Sequence, residues 1–172
     1  IIGSGNVGIT SAFAIAEKGS GHITLYGRTE GQAQGKALDL AEAGPIRRYD
    51  RRIRGTSDLS DLFESDLLII AAGKPRTEGM GRFDLLEDNR CFIQDVAQQL
   101  KEGRKKQDPP VTIVMTEPVD VMTGAFIEAA GWPRQRVLGM GGLLSTSRLR
   151  HFIARELNMS AADVDAMVIG TH

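Results

Sequence analysis

Glycines at positions 3, 5 and 8 follow directly on the β-branched pair Ile1-Ile2, and this spacing leaves the chain few folds to choose from. Gly3 permits a tight turn out of a strand, and Gly5 lets backbone N–H groups approach an anion with no Cβ in the way. Gly8 lets the helix that follows pack close to the strand it came from. Residues 7–17 read as that helix, Gly19-Ser20-Gly21 as its stop and residues 22–26 as a second strand. A helix opening on such a turn presents its positive dipole end and unpaired amides to whatever sits over the loop. Strand, glycine loop, helix and strand together read as the first half of a dinucleotide-binding unit, and Gly3, Ser4, Gly5, Asn6, Val7 and Gly8 are its candidate pyrophosphate-binding residues.

The rest of the chain repeats the alternation. Helices are expected over residues 32–43, where Gly44-Pro45 ends the pattern, and over 83–100, 119–130 and 145–157. Strands are expected over 51–54 (an edge), 67–71, 111–115 and 137–140, with a strand-like apolar run at 166–169. Asp58 or Ser57 caps a brief helix at 59–64, and residues 160–163 resemble a capping box. The stripe of the longest helix is Leu86, Phe92, Ile93, Val96 and Leu100, with Asn89 set among them. This order predicts an α/β fold, a doubly wound parallel sheet with helices on both faces. Ligands of such sheets sit outside the carboxyl ends of the strands. That rule gathers Gly3–Gly8, Gly27, Arg28, the loop 73–82 with Lys74, Arg76 and Arg82, the segment Met115, Thr116, Glu117, and His172 into one crevice. Three arginines in one crevice, Arg76, Arg82 and Arg148, favour a substrate with two carboxylates.

Composition excludes several other functions. With 21 Lys+Arg against 22 Asp+Glu the net charge is −1, so no nucleic-acid-binding face is implied. No apolar run approaches the ~20 residues needed to span a bilayer. One cysteine, Cys91, rules out an internal disulfide and fits a reducing compartment; the expected location is cytoplasmic. No metal-ligand cluster is discernible. The sequence starts inside a strand and stops just after the apolar run at 166–169, so a fragment of a longer protein is expected.

These residues resemble the lactate/malate dehydrogenase family, and the likeness runs the length of the chain. It is carried by Gly3-Ser4-Gly5-Asn6-Val7-Gly8, by Gln34-Gly35-Lys36-Ala37-Leu38-Asp39-Leu40, and by Ser65-Asp66-Leu67 leading into Ala72-Gly73-Lys74-Pro75-Arg76. Glu117-Pro118-Val119-Asp120, Arg148 and Gly170-Thr171-His172 complete it. The resemblance, closest to the malate-acting members, implies a Rossmann dinucleotide-binding domain over residues 1–122. It implies the start of a substrate-binding α/β domain, cut short at its C-terminus, over 123–172. It makes His172 the proton donor and acceptor at the substrate oxygen and Arg148 the two-pronged clamp on the substrate carboxylate. Arg82 would polarise the carbonyl, and Arg76 would meet the second carboxylate. Asn89, Met115, Thr116 and Glu117 fall on the cofactor side, Glu117 reaching the substrate as well. A homo-oligomer is implied too.

Three positions depart from the family pattern. Where an NAD-selective fold carries Asp or Glu at the end of the second strand, this chain has Gly27-Arg28, which favours NADP over NAD. Glu117 replaces the asparagine before the proline. Ser145 replaces the aspartate that orients the histidine, three residues from Arg148 on one helical face. The expected function is hydride transfer between a nicotinamide cofactor and malate/oxaloacetate. The alternative is an NAD(P)-binding relative with impaired chemistry, serving in sensing or assembly.

Overall fold

Ile2 stands at the middle of the sheet and joins its two halves. It bridges in parallel to Tyr26 on one side and to Ile70 on the other, and its amide donates to the Ile69 carbonyl at 2.7 Å while its carbonyl accepts from Ala71 at 2.8 Å. The computed structural model describes residues 1–74, 79, 81–104 and 108–171, with the backbone alone at 82–84. Its helices are α1 (Asn6–Lys18), α2 (Gln32–Arg47), α3 (Arg82–Gly103), α4 (Val119–Ala130) and α5 (Gly142–Glu156). Its strands are β1 (Ile23–Tyr26), β2 (Ile53–Thr56), β3 (Leu67–Ile70), β4 (Val111–Val114) and β5 (Val137–Gly139).

All pairings are parallel: β2 on β1, then Ile2, then β3, β4 and β5 in turn. The chain leaves Ile2 toward β1 and β2 on one flank and returns for β3 to β5 on the other. The strand order therefore reverses at the glycine loop, the place where such sheets leave a crevice. The doubly wound parallel sheet expected from the sequence is what forms.

Strand side chains alternate between two cores because both faces are covered. Ile2, Leu68 and Ile70 pack with Ile93, Val96 and Leu100 of α3 and with Met122 and Phe126 of α4. Ile1, Leu25 and Ile69 pack on the other face with Ala12 and Ala16 of α1 and Ala37 and Leu40 of α2. Leu86 and Phe92 of the expected stripe only flank the first core. Among the described residues no helix is long and apolar enough to cross a membrane.

Several boundaries differ from the sequence reading. Helix α2 runs through Gly44-Pro45 to Arg47 instead of ending there. A proline removes one intrahelical bond, and near a C-terminus the last turn is replaceable: Tyr49 N donates to Gly44 O at 3.2 Å, and the Tyr49 hydroxyl donates to the Leu40 carbonyl. The edge strand sits two residues later, at Ile53–Thr56, because it takes its register from β1. Helix α5 starts at Gly142, ahead of the first polar residue. Residues 166–169 pair with no strand among the described residues; Val168 N donates instead to Thr146 Oγ1 of α5 at 2.9 Å.

Candidate functional site

The loop between Ile2 and α1 works because of where its glycines have no side chain. Gly3 has φ of 117°, and a Cβ on it would stand 2.6 Å from the Ala72 amide nitrogen, so the loop lies directly against the chain leaving β3. A Cβ on Gly8 would fall on the Gly3 carbonyl oxygen, so α1 can begin this close only with glycine there. At Gly5 the position is open, with nothing within 4 Å. Gly5 is also the N-cap of α1, and no side chain caps the helix. Its first-turn amides and dipole end remain available to an anion. These features fit a dinucleotide pyrophosphate.

A cleft of about 260 Å³ opens over this loop, lined by Gly3, Ser4, Gly5, Tyr26, Gly27, Arg28, Thr29, Gln32, Ala71, Ala72, Gly73 and Phe92. A second, of about 170 Å³, shares Arg28, Ala72, Gly73 and Phe92 with it and adds Lys74, Asp88 and Asn89. The first contains no carboxylate. In the second, Asp88 is paired with Lys74 at 2.7 Å. Arg28 lies between the two, its guanidinium carbon 5.6 Å from the Phe92 ring centroid, a cation–π contact that holds a long side chain in place. From α2, Lys36 Nζ donates to the Ser4 carbonyl at 2.6 Å.

Asn89 ties two strand ends together. Its Oδ1 accepts from Lys74 N at 2.9 Å and its Nδ2 donates to Glu117 O at 2.9 Å, while the side chain is buried. Thr116 Oγ1 donates to Ala72 O at 2.6 Å, and Met115 N donates to Ile70 O at 2.8 Å. These contacts hold the loops after β3 and β4 in register; of the three, Asn89 lines one of these two clefts. Glu117 is exposed at the end of β4.

The sequence-derived set is thus brought together in part. Gly3, Ser4, Gly5, Gly27 and Arg28 line one cleft, and Asn89 its neighbour. Asn6, Val7 and Gly8 form the first turn of α1. Arg148 is exposed on α5 with Ser145 one turn earlier, and neither lines these clefts. Arg76 and His172, with the side chain of Arg82, lie outside the described residues. Sequence reasoning missed Phe92, Lys36, Thr29 and Gln32. Phe92 was legible only as an apolar stripe residue, although its place three residues past Asn89 puts both on one helix face.

Comparison with known proteins accords with this geometry. A family model described as the lactate/malate dehydrogenase NAD binding domain matches residues 1–139. A malate dehydrogenase from Chlorobium luteolum is 43% identical over the whole chain, which covers 55% of that protein. The apo malate dehydrogenase structure from Picrophilus torridus superposes with a TM-score of 0.92 at 38% identity, over 99% of this chain and 54% of that one. A lactate dehydrogenase from Cryptosporidium parvum, complexed with lactic acid and nicotinamide adenine dinucleotide, gives a TM-score of 0.91 at 36% identity, over 99% and 53%. The chain spans about half the length of these relatives. A glycine cradle at the switch point of a parallel sheet, matched by model and by superposition alike, places the chain in the lactate/malate dehydrogenase family.

Proposed function

We propose that this chain supplies the nucleotide-binding half of an oxidoreductase acting on a 2-hydroxy/2-oxo dicarboxylate of the malate/oxaloacetate type, with NADP(H) favoured over NAD(H). The observation that carries the cofactor reading is the adenosine end of the cleft. Gly27 offers no carboxylate to repel a 2′-phosphate, and Arg28, held on Phe92, offers a charged partner for one. A nicotinamide dinucleotide held over Gly3–Gly8 would supply the hydride chemistry. Among this chain's residues, His172 moves the proton at the substrate oxygen, Arg148 clamps one carboxylate, Arg76 meets the other and Arg82 polarises the carbonyl. Family resemblance supports these roles, as does the preference of a guanidinium fork for carboxylates. The dinucleotide-binding part runs through β5, since that strand pairs with β4, and α5 opens the substrate-binding part. A homo-oligomer in the cytoplasm remains the reading for assembly and location.

Two titrations and two assays test this. NADPH should bind about ten- to a hundredfold more tightly than NADH, the worth of a charge-assisted phosphate contact; equal affinity or tighter NADH removes the cofactor reading. Oxaloacetate should be reduced in preference to pyruvate, because pyruvate leaves Arg76 unpaired. Equal turnover of the two overturns the dicarboxylate assignment. Glu117 and Ser145 support a second reading, a cofactor-binding relative with little chemistry; it stands if NADPH binds and neither oxo acid is reduced.

A further inference from the structure

The space above Gly27 is already filled, and what fills it is Ser4. The φ of Gly27 lies outside the left-handed region, so its backbone accepts any residue; the obstacle is steric. A Cβ there would fall on Ser4 Oγ, with Ser4 Cβ and Ala33 Cβ each 3.2 Å away. Ser4 is buried, and Lys36 holds its carbonyl from the same helix that supplies Ala33. Its hydroxyl has no hydrogen-bond partner among the described residues, and it lines the cleft beside Arg28 and Thr29.

We propose that Ser4 and Gly27 form one steric unit that sets nucleotide preference, the Ser4 hydroxyl standing where a side chain at 27 would stand and donating to the 2′-phosphate of the adenosine ribose. This rests on the NADP(H) reading above. A carboxylate at 27 accepts from a ribose hydroxyl and repels a phosphate. A serine hydroxyl carries no charge and can donate to a phosphate oxygen. With Ser4 in its present rotamer the two cannot occupy the same place. Arg28 then supplies charge and Ser4 a short neutral donor, on adjacent walls of one cleft. A carboxylate introduced at 27 must first turn Ser4 Oγ away and press on the Ser4 and Ala33 Cβ atoms at 3.2 Å, so converting the preference works best with both positions changed.

The test is calorimetric titration of the full chain with 2′,5′-ADP and with 5′-AMP, for the unmodified protein, S4A, G27D and the double variant. The unmodified chain should prefer 2′,5′-ADP, and S4A should shrink that preference about tenfold, the lower end for a hydrogen bond to a charged group. G27D alone should bind both probes weakly. S4A with G27D should bind 5′-AMP at least about fivefold more tightly than G27D does, as expected when one hydrogen bond replaces a clash. If the unmodified chain shows no preference, the NADP(H) reading fails and this proposal with it. If the preference is present and S4A leaves it intact, Ser4 is not a determinant and the NADP(H) reading stands. Should G27D fail to fold, seen in its thermal melt, the S4A ratio still decides.

Discussion

Asn89 illustrates how one buried amide can organise a site without reacting in it. Both ends of its side chain are spent on backbone groups, Lys74 N and Glu117 O. Asn89→Ala removes both of these part-buried hydrogen bonds, which should destabilise the fold by about 1–3 kcal/mol in urea denaturation. It should also loosen the second cleft, and weaker NADPH binding in that variant is the accompanying sign. Glu117 raises a question of chemistry instead. On the family pattern it faces the substrate and His172, while Ser145 has lost the acid that would orient that histidine. A carboxylate near an imidazole favours its protonated form, so on the proposed roles Glu117 would take over the missing one, with Arg76, Arg82 and Arg148 offsetting its repulsion of a dianion. Glu117→Asn should then lower kcat about tenfold or more, the scale of a positioned acid–base partner. A kcat/KM that rises in that variant shows the carboxylate merely repels substrate.

At the scale of elements, the short 3-10 turn Leu59–Leu62 depends on one cap. Asp58 Oδ1 accepts from Ser60 N at 2.9 Å, and that backbone bond, followed by the Ser60 side chain, holds the carboxyl below the ordinary carboxylate range. A group whose folded pKa is depressed stabilises the fold above its unfolded pKa and loses that contribution as pH falls through the folded one. The stability gap between the unmodified chain and Asp58→Ala should therefore be constant from neutral pH down to about 5, and shrink as pH drops below the unfolded value of about 4. Asp58→Asn keeps a capping oxygen that does not titrate, so its own stability should not carry this pH dependence. Periodicity and punctuation made most of these elements readable: α4 begins and ends where its apolar spacing and Gly131 place it. Tertiary contacts set what was not readable. Tyr49 finishes α2 beyond Pro45, and β1 fixes the register of β2. In the crevice the glycines and Arg28 were legible from spacing. The filling of Gly27's place by Ser4 was not, because no local pattern records which side chain from another loop occupies an empty position.

Across the whole molecule, burial is unevenly spread. Among the described residues the two cores draw on positions from Ile1 to Val137 and on none beyond it. Past β5, Ala154 and Val164 are the only buried apolar residues among those described, while Leu143, Phe152, Leu157, Met167 and Ile169 are all exposed, the last at 84%. Helix α5 meets the short turn at Ala161–Asp163 and the extended tail through Thr146, contacts that bury little surface. Local stability follows local burial, so this 172-residue chain should exchange its amides in two classes. Those of β3, β4 and α4 should exchange slowest, through global unfolding alone. Those of α5 should exchange at least about a hundredfold faster, corresponding to an opening free energy lower by roughly 3 kcal/mol. Adding NADPH should slow exchange in α1 and the glycine loop, the proposed nucleotide site, and leave α5 unaffected. Uniform protection across α4 and α5 would show instead that α5 belongs to the same cooperative unit as the sheet.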